Sequence, residues 1–233
     1  MVDWDGLENR CAFTGTVGSN PTLSAIPLVT IVCQSGSVSL PIRRPSVTLP
    51  TMLLPTFTQM LTALSSWLDK AAAEKGADAD ALMAARLAPD MFPLATQVRF
   101  ACVQAQEALY RLQGQPFPAP LTALLDEARG AGDAPGTIAA AKTRIAETVA
   151  LIEAVDPAAI AVEPDQPIVH DLPIGLTFDF SALSYARDWA LAQFYFHIMT
   201  AYAILRHEGV ALGKADYVAH LMPFIRPQAA SPA

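Results

Sequence analysis

The chain has 233 residues, 52% hydrophobic and 16% charged, enough for one ordinary domain around a single core. A net charge of −7 argues against nucleic acid as a partner, because the fifteen Lys and Arg are scattered and binding a phosphate backbone needs a basic face. Three cysteines, Cys11, Cys33 and Cys102, form neither a Cys-x-x-Cys pair nor an even framework, so neither a thiolate zinc site nor a disulfide fold is indicated and a cytoplasmic location is expected.

Residues 1–51 carry Ser, Thr, Gly and Pro without helical or strand periodicity. The apolar run Ala25 to Cys33 is too short to span a bilayer, and Asp3, Asp5 and Glu8 precede it where a secretory signal needs positive charge. Neither a targeting segment nor a membrane partner is expected. Val17 to Thr22, back-translated as GTG GGT TCG AAT CCC ACC, spells a perfect stem closing a TTCGAAT loop. It resembles the T-arm of a translated transfer-RNA gene, and with Leu23-Ser24-Ala25 the whole resembles the end of a serine tRNA. The expectation is a natural start at Met52, with residues 1–51 spurious. A genuine disordered arm is the other reading of the same composition. The domain 52–233 keeps the full −7, because the first segment holds three bases (Arg10, Arg43, Arg44) and three acids.

From Met52 the pattern turns helical. Phe57, Met60, Leu61, Leu64, Leu68 and Ala71 recur at steps of three and four, predicting an amphipathic helix that stops at Lys75-Gly76. Asp78 is placed to cap a short helix through Arg86. Asp90 and Pro93 suit the entrance of a second long helix, with Asp90 as its cap and Leu94, Val98, Ala101, Ala105, Ala108 and Leu112 inward. Cys102 beside that stripe reads as a structural thiol. Leu121 to Gly136 predicts a helical turn or two and then a glycine loop. A third long helix follows Thr137, with Ile138, Ile145, Val149, Ile152 and Val155 inward, and Asp156-Pro157 closes it. Three prolines and the alternation Leu176-Thr-Phe-Asp-Phe180 predict a small β-hairpin between Ile160 and Phe180. Ser181 caps a fourth long helix to about His207, ahead of Gly209. The expected fold is all-α, a four-helix bundle whose long crossover between the third and fourth helices carries that hairpin.

Three blocks, Arg86-Leu-Ala-Pro-Asp-Met-Phe-Pro-Leu94, the hairpin, and Phe194 to Lys214, resemble an uncharacterised bacterial domain family related to the DinB/YfiT-like bundles, over residues 52–218. The resemblance implies a DinB-like bundle. In that superfamily a metal sits on three histidines, one from the second helix and two at i and i+4 on the fourth, ahead of a Tyr-Leu-Arg landmark. Here Ile204-Leu205-Arg206 is the landmark, His197 takes one histidine position, and Gln193 and Gln97 fall at the others.

Spacing supports the same set, since Gln193 and His197 at i,i+4 share a face with Ala186, Ala190, Thr200, Ala201 and Ile204. Gln97 lies on the inner stripe between Leu94 and Val98. Small residues around three polar groups leave room for waters, an ion or a small ligand. One His with two Gln is a degenerate metal site, because glutamine offers only a neutral carbonyl oxygen. His197 is the candidate catalytic, ligand-binding or metal residue, against a plain reading as a buried histidine satisfied by Gln193 or Gln97. His170, His207 and His220 are expected in solvated positions. Arg86 suits a carboxylate across the bundle or an anion. The opposite face, with Asp188, Tyr195, Met199, Tyr202 and Arg206, is expected to be covered by the hairpin, the first helix or a second subunit, and a homodimer is expected. Two functions stay open: a small-molecule enzyme or binding protein centred on Gln97, Gln193 and His197, and a non-catalytic dimeric structural module.

Overall fold

The computed structural model describes residues 28–33, 36–41, 47–172 and 174–226. The chain divides into two units, Met1–Thr48 and Leu49–Ala233. In the first, β1 (Leu28–Cys33) and β2 (Gly36–Pro41) pair antiparallel from Leu28↔Pro41 to Cys33↔Gly36. The β-branched run Val29-Thr30-Ile31-Val32 favours that strand, where the wider composition had promised none. The tRNA-like segment Val17 to Thr22 lies outside the described residues.

Among its described residues the second unit is mostly helical, with one two-stranded antiparallel hairpin. Helix α1 (Leu49–Lys75) buries the expected stripe from Phe57 to Ala71 together with Trp67. Gly76, at φ 57°, turns the chain out of it in the left-handed region that a side chain resists. A 3₁₀ helix, Gly76–Ala84, stands where a short helix through Arg86 was expected. Helix α2 (Leu94–Leu112) is the central element and packs against α3 (Ala119–Gly130), α4 (Ile138–Glu153) and α6 (Leu191–His207). Its N-cap is Pro93, without a side-chain cap, and the expected cap Asp90 is exposed and outside the helix. Helix α3 is longer than the turn or two expected, because only Leu121, Leu124 and Ala128 mark its buried face.

Central burial makes α2 unusual: Gln97, Arg99, Gln106 and Glu107 are buried alongside its apolar stripe. Each finds a partner. Arg99 donates from Nε to Glu127 at 2.7 Å and from Nη1 to the Ala95 carbonyl at 3.0 Å, while Arg144 holds the other Glu127 oxygen at 2.8 Å. That carboxylate ties three helices together, and hydrogen bonds from both arginines hold its pKa below the ordinary value against the opposing effect of burial. Gln106 donates to Thr148 at 2.8 Å. Cys102 is fully buried, and burial pushes its thiol up to about 12, which makes it inert.

Helix α4 starts on Thr137, whose hydroxyl accepts from the Ala140 amide at 3.1 Å. Thr137→Ala should therefore cost about 1 kcal/mol. Thermal unfolding should register it, and an unchanged melting temperature would mean that the cap contributes nothing.

Strands β3 (Pro167–Asp171) and β4 (Thr177–Ser181) pair antiparallel within the long crossover. Ser181 and Ser184 then form a reciprocal cap, with Ser184 N to Ser181 Oγ at 3.1 Å and Ser181 N to Ser184 Oγ at 2.9 Å. The helical path continues through α5 (Ala182–Ser184), a π-helical stretch Tyr185–Ala190, and α6. Gly209, at φ 79°, follows α6 and precedes the short α7 (Lys214–Tyr217). Side chains of α1 hold this end: Lys75 Nζ donates to Glu208 O at 2.7 Å and Trp67 Nε1 to Asp216 O at 3.2 Å. Among the described residues no helix is long and apolar enough to cross a membrane.

Candidate functional site

Two of the three expected site residues meet. His197 on α6 and Gln97 on α2 approach so that Nδ1 of the imidazole lies 2.8 Å from Gln97 Oε1. The amide orientation is fixed from behind, because Gln97 Nε2 donates to the Phe92 carbonyl at 3.2 Å. Gln97 therefore presents oxygen to the ring, His197 must carry its proton on Nδ1, and the imidazole lone pair rests on Nε2. Arg86 braces the loop that supplies the carbonyl: its Nη1 donates to Met91 O at 2.7 Å, while Leu94 N donates to Ala85 O at 2.9 Å. The Arg86–Leu94 block and the α6 block thus converge on one structure. Neither a carboxylate nor an anion is needed to hold Arg86.

His197 is 8% exposed, and its Nε2 is not among the buried polar atoms that are sealed without a partner. Burial pushes the imidazole down to about 4, so the ring is neutral near pH 7. Phe100 stacks on it at 5.1 Å and 18°, and Phe196 meets it edge-on at 5.3 Å. The rim is apolar, with Phe92 and Phe196 each about half exposed and Met199, one helical turn after Phe196 on α6, also exposed. Gln193 is half-buried and makes no hydrogen bond to His197 or Gln97. The three clefts described, of about 560, 600 and 310 Å³, are lined by other residues.

A three-histidine metal site does not fit this donor set. His197 offers one nitrogen, Gln97 Oε1 is already engaged by Nδ1, and Gln193 is a neutral amide. Among the described residues no group of three or more His, Cys, Asp or Glu could hold a metal ion.

A second polar cluster was not expected. His170 on β3 is 2% exposed, contrary to a solvated place in the crossover. Its Nδ1 lies 3.6 Å from Glu107 Oε1, and its ring packs 4.3 Å from Trp189 and 5.9 Å from Tyr185. Both ring nitrogens, the Tyr185 hydroxyl and Trp189 Nε1 are sealed from solvent without a hydrogen-bond partner. Burial, followed by the charge of Arg111, pushes His170 down to about 4. The signal for it lay in β3: Ile168 and His170 alternate inward there. The π-helical stretch that carries Tyr185 and Trp189 had no sequence signal.

The expected aromatic stripe of α6 is partly covered within the chain. Tyr202 packs against Trp67 at 5.3 Å and Tyr217 at 6.3 Å, and Tyr195 against Phe194 at 5.7 Å. Met199, Asp188 and Arg206 are exposed.

Residues 49–218 match the model of a family described as a domain of unknown function, DUF1993. Among solved structures the chain is similar to a DinB family member protein from Shewanella denitrificans, at 33% identity and a TM-score of 0.61. That likeness covers 78% of this chain and 100% of the other. No curated protein matches the chain.

Proposed function

The chain belongs to the DUF1993 family, a relative of the DinB-like proteins, and on that footing we propose that it binds a small neutral molecule at His197 without a metal. The underlying architecture in this reading is a DinB-like four-helix bundle formed by α1, α2, α4 and α6, with the hairpin in the crossover. One observation carries the function: the Phe92–Gln97–His197 relay leaves an unprotonated Nε2 inside an apolar aromatic rim. A lone pair so placed accepts a hydrogen bond from an N–H or O–H donor, while Phe92, Phe100 and Phe196 favour a flat apolar body. Proton transfer fits less well, since a base held at about 4 is poorly matched to neutral pH. Gln97 acts as the residue that orients His197, and Gln193 completes the polar lining.

Phenol is a suitable probe, offering one donor and one ring. Titrated into the full chain and followed by NMR, it should shift the His197 and Phe196 ring signals. His197→Ala should weaken that binding roughly fivefold, the value of one net hydrogen bond. No shift at His197, or the same affinity in the variant, would remove the proposal.

The exposed rim also supports a second reading, a dimeric module in which Phe92, Phe196 and Met199 meet a second copy. Sedimentation distinguishes the two. A dimer dissociated by Phe196→Asp favours the module, and a monomer favours the ligand site.

A further inference from the structure

A cleft of about 560 Å³ opens beside β3, between the Gly114–Phe117 turn after α2 and the segment Gln166–Val169. Arg111 stands in its wall and, among the described residues, is the one charged residue lining it, in a chain with 22 acids and 15 bases. Its guanidinium is held on several sides. Nε donates to Glu107 Oε1 at 2.6 Å, Nη1 reaches the Val169 carbonyl at 3.4 Å, and the plane lies 5.0 Å from the Phe117 ring centre. Glu107 does not line the cleft.

The strand edge supplies a second donor. Hydrogen bonds flanking the hairpin fall on Gln166, which accepts from Ala182 N, and on Leu172, which donates to Leu176 O. Antiparallel pairing alternates, so Ile168 and His170, of the same parity, turn their amides towards β4. Val169 therefore turns its N–H and C=O to the outer edge, consistent with its carbonyl meeting Arg111. A fixed guanidinium and an unpaired edge amide then stand together over an aromatic floor.

We propose that this cleft is a carboxylate-binding site, distinct from His197. One oxygen takes Arg111 Nη2, the guanidinium nitrogen that those contacts leave open, and the other the Val169 amide, with the apolar part of the ligand on Phe117. Arg111 and the Val169 N–H together offer one charged and one neutral donor to the two oxygens of a carboxylate. A phosphate dianion is a poorer match, because Glu107 already balances part of the single positive charge.

Benzoate titrated into the full chain, followed by nitrogen-15 NMR, tests the site. Saturable shifts are expected at the Val169 amide and at Arg111 Nε–H, and inorganic phosphate at equal concentration should leave both unmoved. Arg111→Lys keeps the charge but loses the planar guanidinium that Glu107, Val169 and Phe117 hold in place, and should weaken benzoate roughly fivefold. Should that variant fail to fold, Phe117→Leu replaces it: benzoate should then weaken while acetate does not. The proposal is overturned if neither signal moves, if phosphate matches benzoate, or if the folded variant binds benzoate as the natural chain does.

Discussion

Lowering the pH from about 6.5 to about 4 should destabilise the fold by about 3 kcal/mol through His197 alone. The unfolded chain takes up this proton near the ordinary histidine value of 6.5, whereas burial holds the folded imidazole at about 4. Between those values the unfolded state binds more protons, so stability falls as the pH drops through the window. Above about 6.5 the two states bind alike, and below about 4 the loss is complete. The separation of about 2.5 units, at 1.36 kcal/mol each, gives the magnitude. His170, also held at about 4, adds in the same direction. Glu127 is held below the ordinary carboxylate range, so its own loss comes at lower pH. Urea unfolding at pH 7, 5.5 and 4 should show the slope, and His197→Gln should remove the His197 share. Equal slopes in both proteins would mean that His197 is not held neutral.

Phe194→Ala should cost about 3 to 5 kcal/mol. Phe194 is fully buried on α6 and meets the fully buried Phe57 of α1 edge-to-face, with ring centres 4.8 Å apart at 67°. Removing the ring deletes that contact and opens a cavity between two long helices that cannot fully collapse. At about 2 to 4 °C per kcal/mol for a unit of this size, the melting temperature should fall by roughly 10 °C. Phe196→Ala, two residues along on the exposed rim, should change stability by no more than about 0.5 kcal/mol. Similar losses at both positions would contradict the burial described.

Much of this fold was legible. The stripes of α1, α2 and α4 repeat apolar residues over several turns, and burial follows them. His197 was legible because Ile204-Leu205-Arg206 sets its register, and Gln97 because it lies on the inner stripe of α2. The direction of their hydrogen bond was not legible, since it depends on the Phe92 carbonyl reached through the loop. Apolar periodicity also leaves buried charge unmarked: Arg99 and Glu107 lie among the apolar residues of α2, where Glu127 of α3 and His170 of β3 meet them. Helix α3 was underestimated because three buried residues leave a faint stripe. The π-helical stretch is six residues long, too short for its spacing to differ visibly from an α-helix. Cover over Tyr202 comes from Trp67 and Tyr217, distant in sequence and brought together only by the fold.

The protonation state of His197 is the most direct test of the site, and long-range proton–nitrogen NMR of its ring reads it. A neutral imidazole at pH 7, with the proton on Nδ1 and a bare Nε2, unchanged when zinc is added, is the result expected from the Gln97 relay. A proton on Nε2, a charged ring, or a stoichiometric zinc-induced shift would contradict a metal-free acceptor at the centre of this protein.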